Sequence, residues 1–201
     1  MTLTPPAAGQ RPADPRAPID HPLGRRIAVV GGGGKTTLAR SLAAKLGVPF
    51  VELDVLFWKP GWIESPIEEF RAKVAAAIAA SPDGWMVDGN YYSVLRDLVV
   101  GQADTVIWVN MPWRVVFWRI FLRAIRRASD RQRVCGDNYE NWRHTFLSRK
   151  SLLWWYITNR RRYRERELRL LPMVPPGAPL IDLASPRDLD RFYILQGLRR
   201  K

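Results

Sequence analysis

Five short apolar runs alternate along the chain with stretches of helical periodicity. Arg26–Val30 (RIAVV), Phe50–Leu53 (FVEL), Trp85–Asp88 (WMVD), Thr105–Val109 (TVIWV) and Leu180–Leu183 read as strands. Thr36–Leu46 predicts a helix, stopped by Gly47 just past its end. Ser65-Pro66 opens a second helix running to about Ala80, with Ser65 as cap and Glu68 completing a capping box. A long helix follows Pro112, a strongly basic one spans 150–171, and Ser185-Pro186 with Asp188 caps the last. The segment 129–149 is polar and irregular. Strands alternating with helices predict βαβ units, hence an α/β fold on a parallel sheet with right-handed crossovers.

Composition narrows the class. A chain of 201 residues that is 47% hydrophobic with nine Trp suits one folded domain with a sizeable core. Residues 1–22, rich in proline and without an apolar run, read as a disordered leader, leaving 23–201 as a single domain. One cysteine, Cys135, excludes an internal disulfide and points to a reducing compartment. The apolar stretch 105–122 is interrupted by Asn110, Pro112, Arg114 and Arg119, so no integral membrane contact is expected. Together these predict a cytoplasmic protein.

Charge is uneven. Residues 1–110 carry 11 basic and 11 acidic side chains, whereas 111–201 carry 21 and 8, so the whole net charge of +13 lies in the second part. All but Lys150 and Lys201 of those 21 are arginines. Such an excess calls for an anionic partner, whether a phosphate-bearing ligand, nucleic acid or an acidic membrane surface.

The sharpest chemistry is GGGGKTT, residues 31–37, between a predicted strand and a predicted helix. Glycines at Gly31, Gly32, Gly33 and Gly34 let backbone N–H groups converge on phosphate oxygens, and the following helix N-terminus favours anions. Lys35 would reach the outer phosphates, Thr36 would offer its hydroxyl to Mg²⁺, and Thr37 completes the motif. The spacing departs from G-x-x-x-x-G-K-[ST], because Val29 stands where the first glycine belongs. The loop is about two residues short. Either the strand ends early, near Ala28, or the cradle is tighter than usual.

Beyond the loop, ELDVLFWKPGW (52–62), MVDGNYYSVLRDLV (86–99) and ADTVIWVNMPWRVVFWRIFLR (103–123) form a distinctive set. With the glycine loop they resemble the topology modulation proteins, adenylate-kinase-like P-loop NTPases, over roughly residues 24–160. The resemblance implies a three-layer P-loop fold. Its five-stranded parallel sheet has the nucleoside-monophosphate-kinase arrangement, with an arginine-rich helical lid at about 129–149. It implies ATP and Mg²⁺ as cofactors and a nucleotide or other small molecule as phosphate acceptor. Asp88 and Gly89 resemble the acidic residue and glycine that face Mg²⁺ and the acceptor phosphate. Pro112 followed by Arg119 and Arg123 resembles the pattern whose arginines meet ATP. Asp54, Asn90 and Arg96 are placed toward the acceptor.

Arg119, Arg123, Arg126 and Arg127 share one face of the helix after Pro112, with apolar and aromatic residues over most of the rest. A largely buried helix with one open cationic stripe is expected. Arginine suits this role because it binds phosphate bidentately and keeps its charge. Arg131, Arg133, Arg143 and Arg149 lie in the lid segment. The expected function is ATP-dependent phosphoryl transfer, with Lys35, Asp88, Arg119 and Arg123 as its catalytic residues. The alternative is a degenerate P-loop protein whose basic half binds DNA or RNA non-specifically.

Overall fold

A computed structural model describes residues 14–130, 133–135, 138–139, 154, 157–159, 165 and 169–199. A six-stranded sheet organises them. In chain order its strands are β1 (Arg16–Ala17), β2 (Arg26–Gly32), β3 (Phe50–Glu52), β6 (Trp85–Asp88), β7 (Thr105–Asn110) and β10 (Leu180–Asp182). The hairpins β4 (Trp58–Lys59) with β5 (Ile63–Glu64), and β8 (Arg133–Val134) with β9 (Asn138–Tyr139), stand apart from it. The sheet order is β1-β10-β7-β2-β6-β3 and every neighbouring pair is parallel.

The alternation of side chains along each strand explains two apolar layers. Ile27 and Val29 of β2, Ile107 and Val109 of β7 and Ile181 of β10 face one side. There they bury Leu38 and Leu42 of α1 (Lys35–Leu46), Val116 and Ile120 of α4 (Trp113–Asp130), and Leu189 and Phe192 of α5 (Pro186–Leu195). Ala28, Val30, Val87, Val106 and Leu180 face the other side, against Phe70 and Val74 of α3 (Ile67–Ala79) and Leu95. The result is a three-layer α/β fold. β2 lies between β6 and β7, and the chain leaves it first toward β3 and later toward β10. The carboxyl ends of β2 and β7 are thus the switch point, where open α/β sheets leave a crevice.

Several expectations change. Within the segment expected as a leader, Arg16–Ala17 add a sixth strand to the predicted five. The edge of β10 would otherwise leave its amides unpaired. Leu180 donates its N–H to the Pro15 carbonyl at 2.8 Å, and Arg16 pairs with Asp182 at 3.5 Å. The flanking prolines are tolerated because the ladder is short and lies at the sheet edge.

The capping box at Ser65 does not form. Pro66 takes the cap position with no side-chain bond, and the Ser65 hydroxyl donates instead to the Leu56 carbonyl. That carbonyl belongs to α2 (Leu53–Phe57), a one-turn helix too short for periodicity to reveal. At α5 the Ser185 cap does form, accepting from the Asp188 N–H at 3.1 Å.

α4 is less buried than expected. Its core contacts come from Val116, Ile120 and Ala124, whereas Trp118 and Leu122 are exposed, because only one face meets the sheet. Within the segment 129–149, expected as a helical lid, Ser129 and Asp130 end α4 and the described residues beyond them form the hairpin β8–β9. Arg131, Arg143, Arg149, the side chains of Arg127 and Arg133, and most of the helix expected at 150–171 lie outside the described residues. Among the described residues, no helix is long and apolar enough to cross a membrane.

Candidate functional site

The glycine run is partly strand. β2 pairs with β7 as far as Gly31 opposite Val109 and Gly32 opposite Asn110. The strand therefore does not end near Ala28. Only Gly33 and Gly34, with φ of 77° and 137°, turn the chain into α1, and Lys35 is already the first helical residue. The loop is the tighter of the two forms left open by the spacing. Glycine is required at position 31, where φ is 103° and a Cβ would lie 2.3 Å from the Val109 carbonyl oxygen.

Asn90 explains why β2 runs so far. β6 stops pairing with β2 at Val29 opposite Asp88. Beyond that point the Asn90 side chain takes over. Its Oδ1 accepts from the Gly31 N–H at 2.7 Å and its Nδ2 donates to the Gly31 carbonyl at 2.8 Å. A side-chain amide thus continues the ladder where the neighbouring strand has ended. Asn90 was expected to face the acceptor, but both ends of its amide are spent on the glycine strand.

Lys35, Thr36 and Asp88 converge as expected. Lys35 Nζ donates to Asp88 Oδ1 at 3.0 Å, and Thr36 Oγ1 donates to Oδ2 at 2.5 Å. The Asp88 side chain is fully enclosed and that of Lys35 is 15% exposed. Burial pushes the Asp88 carboxyl above its ordinary value. The Lys35 charge and the Thr36 hydroxyl bond oppose that shift, and the negative charge of Asp54 adds to it.

Arg119 projects from α4 to the same turn and donates to the Gly33 carbonyl. Its guanidinium lies within contact of the space over Gly34. Arg123 is exposed, one helical turn further along α4, as is Thr37 beside the loop. The α1 N-terminus carries neither a side-chain cap nor an acidic residue in its first turn. Lys35, held by Asp88, and Arg119 place two cationic side chains beside this end of the helix, where an anion is favoured.

A second cluster adjoins it. Asp54, in the first turn of α2, accepts from the Tyr91 hydroxyl at 2.8 Å. The Tyr91 ring packs at 4.9 Å from Phe57 and 5.0 Å from Phe70, centroid to centroid. Burial, followed by the charge of Asp54 and its hydrogen bond, raises the Tyr91 hydroxyl well above its ordinary value, so it stays a donor. Tyr91 went unassigned in the sequence, since nothing in its spacing signals a partner 37 residues away. Arg96 does not join either cluster. It is exposed and donates to the Pro172 carbonyl at 3.5 Å.

The donors present fit Mg²⁺. Thr36 and Asp88 are hard oxygen ligands side by side, and Mg²⁺ is typically held by one or two side chains together with substrate phosphate. A triphosphate is served less fully than in a standard P-loop, since the turn supplies only Gly33 and Gly34 before the helix. A surface hollow lined by Arg26, Ser81, Trp85 and Gln102 lies at the opposite, amino end of β2 and β6 and takes no part here.

No protein-family model matches the chain. No curated protein matches it either. Among solved structures it is similar to an unliganded sugar kinase from Janibacter sp. HTCC2649, at 18% identity and a TM-score of 0.44, covering 88% of this chain and 96% of that one. It is also similar to a "putative kinase" from Chloroflexus aurantiacus, at 15% identity and a TM-score of 0.45, covering 88% and 99%. Similarity this low does not bear on the reaction of this chain.

Proposed function

We propose that the protein is a phosphotransferase that moves the γ-phosphoryl group of ATP to a nucleotide or other small acceptor, in the manner of the adenylate-kinase-like P-loop proteins it resembles. The convergence of Lys35, Thr36 and Asp88 at the carboxyl end of the central strand carries this reading. Such a reaction asks little covalent chemistry of the protein and depends on positioning and charge. Lys35 exchanges its contact with Asp88 for phosphate oxygens, and the first-turn N–H groups of α1 add their dipole. Arg119, already at the turn, offsets charge on the transferring group, with Arg123 one turn behind it. Thr36 and Asp88 would hold Mg²⁺, which would supply further charge neutralisation at the phosphate oxygens. Asp54 would orient the acceptor, with Tyr91 fixing the carboxylate by its hydroxyl.

Calorimetric titration with Mg-ATP tests the donor side, followed by turnover on a panel of nucleoside monophosphates and small alcohols. Saturable binding abolished by Arg119→Ala, with turnover on at least one acceptor, is the expected result. Absence of Mg-ATP binding by the parent protein would sink the reading.

One observation favours a second reading. β2 runs through Gly32 and leaves a two-residue turn, which suits a P-loop that has lost its catalytic role. With the excess charge of 111–201, the chain would then be a nucleic-acid binder. Its affinity for DNA or RNA would fall steeply with salt, in proportion to the phosphates neutralised. A flat salt dependence excludes it.

A further inference from the structure

Among the described residues, two that are not glycine have positive φ: Trp62 at 59° and Cys135 at 33°. They lie 73 positions apart in the chain, and one side chain bonds both. Asn138 is 3% exposed. Its Oδ1 accepts from the Trp62 N–H at 2.8 Å, and its Nδ2 donates to the Cys135 carbonyl at 2.6 Å and the Lys59 carbonyl at 3.0 Å. The amide thus joins the tip of β4–β5 to the turn of β8–β9 and satisfies polar backbone groups on both. Strained backbone of this kind persists only where its surroundings hold it, and it gathers at functional sites.

The fastened pair stands over the Asp54 side of the site. β4 follows α2 directly, and the Trp58 ring packs at 5.1 Å from Phe57, which in turn packs on Tyr91. Trp62 packs on Trp58 at 5.7 Å. Cys135 and Glu64 both lie near enough to act electrostatically on the Tyr91 hydroxyl. The segment 129–149 was expected as a lid, but Asn138 within it is bonded to the hairpin beside Asp54 and Tyr91.

We propose that β8–β9 is a wall of the acceptor pocket, not a cover for the phosphate donor, and that Asn138 is the positioning residue that fastens it to β4–β5. The proposal rests on the reading that the acceptor binds beside Asp54. The chemistry of that side suits an acceptor with a hydroxyl to donate to the Asp54 carboxylate and an apolar or aromatic body to lie against the partly exposed Trp58. Among the described residues Asn138 hydrogen-bonds backbone groups of the two hairpins, so its effect on the reaction would pass through them.

Two measurements on the full chain test this. Hydrogen–deuterium exchange follows the Trp62 amide and its neighbours in Asn138→Ala. Steady-state kinetics on the best acceptor from the panel separate the KM for acceptor from the KM for Mg-ATP. The expected result is at least tenfold faster exchange over 58–64, and an acceptor KM raised about tenfold with the Mg-ATP KM within twofold. If Asn138→Ala does not fold, Asn138→Asp keeps the acceptor atom for the Trp62 N–H and loses both donations. It should show the same KM split with a smaller rise in exchange. Unchanged exchange over 58–64 overturns the fastening. Faster exchange with a raised Mg-ATP KM, or with both constants unchanged, overturns the acceptor-wall role. A parent protein without turnover on any acceptor refutes the phosphotransferase reading and the wall role with it, while exchange alone still judges the fastening.

Discussion

The two halves of the candidate site are built differently. The phosphate half depends on charge. Lys35 and Thr36, neighbours in sequence, meet an enclosed Asp88. The half proposed for the acceptor depends on shape and on hydrogen bonds around a single carboxylate, assembled from α2, β4–β5, Tyr91 and the turn at Cys135–Asn138. The contrast follows from what each half would hold. A polyanion needs fixed positive charge that is neutralised until it binds. A small acceptor needs a pocket wall and one oriented carboxylate. Damage to the phosphate half should therefore cost stability as well as binding, whereas damage to the acceptor half should appear mainly as altered selectivity.

Lys35→Met should have the largest effect. It strands the Asp88 carboxylate in the interior without its counter-charge, a loss of about 3–5 kcal/mol on the scale of broken buried pairs, read by chemical denaturation. Adding Asp88→Asn to it should recover much of that stability but no Mg-ATP binding. If Lys35→Met folds as stably as the parent, the pair at Asp88 is not the electrostatic centre described above.

Asn90→Ala comes next. It leaves the Gly31 N–H and carbonyl without their side-chain partner, worth about 1–3 kcal/mol, and should loosen the end of β2 in hydrogen exchange. A raised acceptor KM with an unchanged β2 would instead return Asn90 to the acceptor side, where the sequence placed it.

The pH dependence of stability probes the far edge of the sheet. Burial raises the Asp182 carboxyl above its ordinary value, and its Oδ1 is enclosed without a hydrogen-bond partner among the described residues. An acid with a raised folded value favours the fold at pH below its ordinary value and loses that contribution as pH rises through the folded one. Asp182→Asn should therefore flatten the fall in stability from about pH 4 upward, measured by denaturation across pH.

Tyr91→Phe removes the hydroxyl from Asp54 and leaves the aromatic packing. Stability should change by about 1 kcal/mol and the acceptor KM should rise, while the calorimetric affinity for Mg-ATP stays the same. Arg96→Ala should do least, within about 0.5 kcal/mol and twofold in turnover, since the residue is exposed and, among the described residues, its side chain donates to the Pro172 carbonyl. A large loss of turnover in that variant would restore it to the site.

The legible part of this molecule was local. Apolar runs of period two and helical stretches of period 3.6 are written in adjacent residues, so the five main strands and α1, α3, α4 and α5 were visible from them. The Lys35–Thr36 motif was visible for the same reason, and Asp88 was paired with it only through the family resemblance. The spacing also showed that the glycine loop is short. Which form it takes was decided by tertiary contact, because β2 continues to Gly32 only where β7 and Asn90 supply ladder partners. Gly31 and Asn90 are 59 residues apart, and Trp62 and Asn138 are 76 apart. Bonds over such distances leave no periodicity in the chain, since either partner looks like an ordinary polar loop residue until the fold brings it to the other. The sequence by itself determined the layers and the charged centre. The tertiary structure decided the length of the glycine turn, the sixth strand and the joining of the two hairpins through Asn138, because each depends on backbone groups that acquire partners only after the sheet has formed.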